Sequence, residues 1–251
     1  MQQTKNIITV TNLEKSYKNI DVLKNVSFKV KKGSIFTLLG SNGAGKTTTI
    51  KILSTLIKPD KGNATICGYD VVKEGNKVRS SISLTGQYAA VDEVLTAREN
   101  LQIIGALRHL DNISKRAEQL LTTFELLDAA DRRVATYSGG MRRRLDIAMS
   151  LMGEPSVIFL DEPTTGLDPQ SRLSMWDIVK DMSNSGTTVF LTTQYLEEAE
   201  YLADYIAILH KGVIAEEGTV EGLKEAYNLP TLEDIFLSLI GEREVNKYDG
   251  K

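Results

Sequence analysis

The chain, 251 residues long, predicts an α/β fold: a parallel sheet covered by helices, entered through an antiparallel β region and interrupted by a helical lobe. Three observations carry that prediction. After Pro155, strand-like runs at 157–160, 187–193 and 205–209 alternate with helical patterns at 173–182 and 196–202, the signature of strands joined by crossover helices. Ahead of Lys46, short strand-like runs at 7–10, 26–30 and 35–39 are broken by turn signals such as Lys32-Gly33, with no long helical pattern between them. Between about 89 and 150 the period becomes helical.

Taken in order, the opening third ends with a helix at 47–56 and a strand at 64–66, bounded by Lys61-Gly62 and Gly68. Thr96-Ala-Arg-Glu99 fits a capping box and opens a helix with Leu101, Ile104 and Leu107 on one face, followed by a second helix over 114–127. Near the end, Thr231 caps a short amphipathic helix over 231–240, with Leu232, Ile235, Phe236, Leu239 and Ile240 on one face; a loose polar tail is expected beyond Gly241. The expectation is one domain with two lobes: residues 1–87 and 156–230 form the core with its β subdomain, 88–155 the helical lobe, and 231–251 a C-terminal helix and tail.

The net charge of −3 gives no electrostatic footprint for nucleic acid. The local runs Arg132-Arg133 and Arg142-Arg143-Arg144 read as solvated helix faces. Cys67 is the single cysteine, so neither an intrachain disulfide nor a cysteine-built zinc site is possible. Residues 1–15 are polar where a signal peptide needs an apolar core, and no apolar run reaches the length of a membrane span. A cytosolic protein that touches a membrane only through a partner is therefore expected.

Two distant segments carry chemistry. Gly40-Ser-Asn-Gly-Ala-Gly-Lys-Thr47 fits the GxxxxGK[ST] phosphate loop at every position and lies between an apolar strand and a helix. Glycines at 40, 43 and 45 let the backbone turn its amides inward, Lys46 reaches the outer phosphates, and the Thr47 hydroxyl holds Mg²⁺. Val157-Ile-Phe-Leu-Asp-Glu162 reads as a buried strand ending in two carboxylates. Asp161 suits the magnesium shell, and Glu162 can orient and polarise an attacking water.

A third segment narrows the class. In Tyr137-Ser-Gly-Gly-Met-Arg-Arg-Arg-Leu145, Ser138 offers a hydroxyl and Gly139 and Gly140 expose amides at the positive end of a helix. Alone it reads equally as an ordinary serine-capped helix. With the other two motifs it resembles the signature of ABC transporter ATP-binding subunits, usually written LSGGQ, with Tyr137 for leucine and Met141 for glutamine. The resemblance implies a P-loop NTPase (RecA-like) core with an N-terminal antiparallel β subdomain and an inserted α-helical subdomain, binding ATP and Mg²⁺. It implies that residues 40–48, from Gly40, Ser41, Asn42, Gly43, Ala44 and Gly45 to Lys46, Thr47 and Thr48, hold the phosphates, and that Tyr17 stacks on adenine. By the same resemblance Gln87 reaches Mg²⁺ and the water, and Gly166-Leu167-Asp168 crosses to an opposite subunit.

One departure matters: where most of the family places a histidine beside the γ-phosphate, this chain has Gln194. Glutamine can donate a hydrogen bond but carries no titratable proton. Either Gln194 is a working substitute or hydrolysis is impaired. Segments 85–93, 137–146 and 191–199 are similar to daunorubicin-resistance-type subunits of ABC-2 class drug exporters, in which the methionine and glutamine variants occur together. That resemblance implies an ATPase at the cytoplasmic face of the membrane that works as a head-to-tail pair on a transmembrane permease and exports drug-like or lipidic compounds. Two alternatives stay open: a regulatory or weakly hydrolysing subunit, and a non-transport ABC ATPase.

Overall fold

The computed structural model describes the backbone of residues 5–245 and the side chains of residues 5–239. Two long strands, β1 (Asn6–Tyr17) and β2 (Ile20–Lys31), form a hairpin. They extend well past the runs at 7–10 and 26–30 because the added residues are mostly exposed or half-buried, with only Leu13 and Leu23 buried, which an apolar-run criterion misses. With β4 (Lys61–Ile66) and β5 (Tyr69–Asp70) they make an antiparallel sheet of order β2-β1-β4-β5.

The second sheet holds six strands. Between β3 (Ile35–Leu39) and β4 lies α1 (Lys46–Leu53); α2 (Gly75–Ser81) then leads into β6 (Ile82–Thr85). The helical lobe follows as α3 (Ala97–Leu107), α4 (Ile113–Thr123) and α5 (Gly139–Ser150). Next come β7 (Val157–Asp161), α6 (Pro169–Asn184), β8 (Thr188–Thr193), α7 (Leu196–Leu202) and β9 (Tyr205–His210). The chain then forms β10 (Val213–Gly218), α8 (Val220–Tyr227) and α9 (Leu232–Val245). Strand order is β10-β9-β3-β8-β7-β6, parallel except for the β9–β10 hairpin.

Side-chain alternation on the parallel strands divides the core. Ile158, Leu160, Val189 and Leu191 pack into a cluster shared with α3 to α6, while Val157, Phe159 and Phe190 point the other way, towards the antiparallel sheet and α1. Between the sheets, Phe36 stacks on Phe28 and Phe190 with centroids 5.1 and 5.2 Å apart, and Phe159 meets Phe190 at 5.3 Å. Each such pair contributes about 0.5–1.5 kcal/mol beyond its area. A third cluster joins α7, α8 and α9 to Leu39, Ile206 and Ile208.

Several boundaries differ from expectation for local reasons. The helix expected over 47–56 ends at Leu53, because Thr55 takes a left-handed φ of 66°. The one expected over 114–127 stops at Thr123, before Glu125 at φ 53°. The final helix runs through Gly241 to Val245, past the expected start of the tail; residues 246–251 and the Ile240 side chain lie outside the described residues. The strand β10 and the helix α8, whose cap Thr219 accepts from Gly222 N at 3.0 Å, had no counterpart among the elements expected from sequence.

Candidate active site

The fully buried β3 delivers the chain to Gly40, whose amide donates to Thr193 O at 3.1 Å and so ties the loop to the end of β8. A Cβ on Gly40 would lie 2.4 Å from Leu209 O, so only glycine fits there. Gly45 begins α1 at φ 114°, with no side chain capping the helix, and its amides are left to face the loop. Lys46 is 4% exposed. Its Nζ donates to Gly40 O at 2.7 Å and Ser41 O at 3.1 Å, and lies 3.1 Å from Glu162 Oε1.

The carboxylate pair arrives on β7. Asp161 accepts from Thr192 Oγ1 at 2.6 Å, and Thr47 Oγ1 stands 3.4 Å from the same Oδ1. Glu162 takes a φ of 49°, a left-handed conformation costly for a side chain of its size. Its amide holds that turn by donating to Thr192 O at 3.1 Å. The phosphate loop, Asp161 and Glu162 are thus assembled from three adjacent parallel strands.

Thr47 and Asp161 supply hard oxygen donors within one small space, and among the described residues no group of three or more His, Cys, Asp or Glu could hold a metal by itself. This donor set fits Mg²⁺, which binds through few protein ligands, water and substrate phosphates rather than an all-protein cage. Uncapped helix amides and a buried ammonium fit the phosphates themselves.

The remaining predicted residues surround this group at varying remove. Gln194 follows Thr193 directly, at the bend between β8 and α7. Gln87 is exposed just beyond β6. Tyr17 is 44% exposed at the tip of the β1–β2 hairpin, with Lys15 Nζ 5.6 Å from its ring. That hairpin abuts the phosphate loop, since Leu23 and Val22 would crowd a Cβ on Gly45 at 2.6 and 3.0 Å.

Ser138 caps α5, accepting from Met141 N at 3.2 Å, and Asp168 caps α6, accepting from Ser171 N at 3.0 Å. The two caps are neighbours: a Cβ on Gly140 would lie 2.6 Å from Ser171 Oγ. The Ser171 hydroxyl and amide hold the Asp168 carboxyl below its ordinary value. Around Gly139 there is open space, with nothing within 4 Å of a built Cβ. Among the described residues, no hydrogen bond or ion pair joins Ser138, Gly139 or Gly140 to Lys46, Thr47 or Glu162.

Three participants lie inside quoted segments but were given no role at the site from sequence. Thr192 is a buried hydroxyl in β8, one of three buried threonines in that strand, a signal that was available. Glu198 on α7 is fully buried; its Oε1 accepts from Thr164 Oγ1 at 2.7 Å and Trp176 Nε1 at 3.0 Å, and burial pushes its carboxyl up. Arg143 corrects the expectation of a solvated basic run: it is 5% exposed and paired with Asp146, whereas Arg142 and Arg144 remain partly exposed. Burial pushes the Arg143 guanidinium down and the Asp146 carboxyl up from their ordinary values. An acid at i+3 was the missed clue.

Comparison with known proteins adds to this geometry. Residues 23–165 match the sequence profile of a family described as ABC transporter. The chain is 50% identical, over 219 residues and 86% of its length, to the daunorubicin resistance ATP-binding protein DrrA3 of Streptomyces coeruleorubidus, of which it spans 69%. A solved ATP-binding subunit of an ABC transporter superposes with a TM-score of 0.83 at 28% identity, covering 93% of this chain and 99% of that one. Another, a dimeric post-hydrolysis state of the ATP-binding cassette MJ0796 bound to ADP and Pi, gives 0.75 at 28% identity over 84% of this chain and 98% of that one.

Proposed function

The chain belongs to the ABC transporter family, and from that premise we propose that it is the ATP-hydrolysing subunit of an exporter for drug-like or lipidic compounds. The observation that carries the reading is the convergence of Lys46, Thr47, Asp161 and Glu162, with Ser138-Gly139-Gly140 outside their reach. One chain then holds half of each composite site, and a second copy, docked head to tail, supplies the signature amides.

In this reading Gly40 anchors the loop to β8 and the amides of residues 41–45 that are not paired within the chain, with Lys46 and Thr48, hold the triphosphate while Tyr17 stacks on the base. Thr47, Asp161 and Gln87 would hold Mg²⁺, which would supply positive charge against the phosphates. Lys46 exchanges Glu162 for the phosphates, and the released carboxylate accepts a proton as water oxygen bonds to the γ-phosphorus and the bond to the ADP oxygen breaks. Gln194 donates a hydrogen bond to a γ-phosphate oxygen. Ser138, Gly139, Gly140 and Asp168 act across the dimer, so ATP closes the pair and hydrolysis loosens it.

Among the described residues no helix is long and apolar enough to cross a membrane. We place the protein at the cytoplasmic face, docked on a permease of the ABC-2 type through the groove between the core and the lobe at 88–155, with 1–87 and 156–230 as core and 231–251 as C-terminal appendage. Drug export rests on 50% identity to a daunorubicin resistance protein. Gln194 in place of histidine favours one second reading, a subunit that closes on ATP and turns over little. Phosphate release by the purified chain, alone and with its permease, decides: turnover in either state upholds the motor, while intact ATP affinity with no turnover in both leaves the second reading.

A further inference from the structure

Arg143 and Asp146, at i and i+3 on α5, are both buried and 3.2 Å apart. The pair does more than neutralise itself. Arg143 Nη1 also donates to Gly86 O at 2.6 Å, Arg143 Nε donates to Pro163 O at 2.9 Å, and Asp146 Oδ1 accepts from Ala90 N at 3.0 Å. Gly86 directly precedes Gln87, Ala90 lies just beyond it, and Pro163 directly follows Glu162. One pair on one helix therefore clamps both ends of the Gln87 loop and the main chain next to Glu162.

These contacts end on backbone groups, so what they fix is the course of the chain and not the reactivity of a side chain. A planar guanidinium is well shaped for such bracing, because its donors diverge in a rigid fork that reaches two carbonyls from different loops and a carboxylate at once. Burying two charges to stabilise a fold is inefficient, because desolvation offsets most of their attraction. Glu162 already occupies a left-handed turn and needs its neighbours to hold it there.

We propose that Arg143 and Asp146 are positioning residues for ATP hydrolysis, setting the register of the Gln87 loop against Glu162. The proposal rests on the ATPase reading above. Its consequence is that movement of the Gln87 loop, on the face where a permease would dock, is passed to the Glu162 turn through two hydrogen bonds of one side chain.

The test uses the full chain with Arg143→Met and Asp146→Leu together, an apolar replacement that keeps the volume filled, and separately Arg143→Lys and Asp146→Asn. Expected for the double variant is a melting temperature close to the parent's, an unchanged KM for ATP, and kcat lower on the order of 100-fold, the effect of a small misplacement of reacting groups. Amides of residues 86–95 should exchange hydrogen faster. Arg143→Lys should also lose kcat, since a point charge cannot span both carbonyls. Should the double variant fail to fold, Asp146→Asn provides the same readouts. A folded variant with parental kcat and parental exchange overturns the positioning role alone. A parent without turnover, alone or with a permease, overturns the ATPase reading and this role with it.

Discussion

The phosphate loop and the signature turn are both glycine-rich entries into a helix, yet the structure treats them oppositely. The first is exposed at its tip, where Gly43 meets nothing, but braced at both ends: Gly40 lies against Leu209, Gly45 against Leu23, and Lys46 is held by two carbonyls and Glu162. Around the second, Ser138 is occupied only with capping its own helix, and Gly139 faces open space. Helix N-termini attract anions in either case. What differs is what stands nearby: a cation and two carboxylates adjoin the one, while the other, in the function proposed above, gains its role against a second copy.

The comparison can be broken from either side. The largest effect is expected at the filled side: Glu162→Gln keeps shape but removes the base, and turnover should fall by about 10²–10⁴-fold, with ATP-bound dimers accumulating on size exclusion. Parental turnover in that variant would remove Glu162 from the chemistry.

On the open side, Gly139→Asp should leave the fold intact, since its Cβ meets nothing and an acid suits the first turn of α5. Turnover should nonetheless fall sharply through repulsion of phosphate. Mixing Gly139→Asp chains with Lys46→Ala chains provides the sharper reading. Head-to-tail pairing restores one intact composite site per mixed dimer, so activity should reappear in the mixture; two inactive proteins that stay inactive together would show each site to lie within one chain.

A smaller effect is expected at Gln194, proposed above to face the γ-phosphate. Gln194→Ala should lower kcat about tenfold, the value of a hydrogen bond of roughly 1.4 kcal/mol, while Gln194→His is tolerated. Equal rates in all three would make the position a bystander. The smallest concerns the Asp168 cap, whose folded pKa is depressed by Ser171 below the ordinary 3.8. Its contribution is therefore fully present above that value and is lost as pH falls through the lower, folded one. Acid titration of Asp168→Asn against the parent should show curves that differ above about pH 4 and converge below it.

What could be read from sequence was what is written in contiguous residues. The loop at 40–47 and the pair at 161–162 declare themselves because strand, turn and ligand follow one another along the chain. The Thr96 box did so too, and it closes as expected, with Thr96 N donating to Glu99 Oε2 at 2.8 Å. Arg143 and Asp146 did not, because their partners Gly86, Pro163 and Ala90 are brought together only by the sheet order, and all three contribute backbone atoms that leave no trace in side-chain pattern. Strand β10 was missed for a humbler reason: it carries Glu216-Glu217, an acidic pair that disguises an edge strand paired with β9.

The ion pair between Lys46 and Glu162 has a further consequence, one of timing. If Lys46 binds the phosphates as proposed, it must be won away from the carboxylate, so whatever free energy the pair contributes is subtracted from nucleotide affinity. On the mechanism proposed above, the same pair holds Glu162 away from the attacking water until that exchange has happened. Weak and strong binding, idle and active base, are thereby made two readings of one equilibrium, and a substitution that loosens the pair should tighten ATP binding while blunting the chain's ability to wait for it.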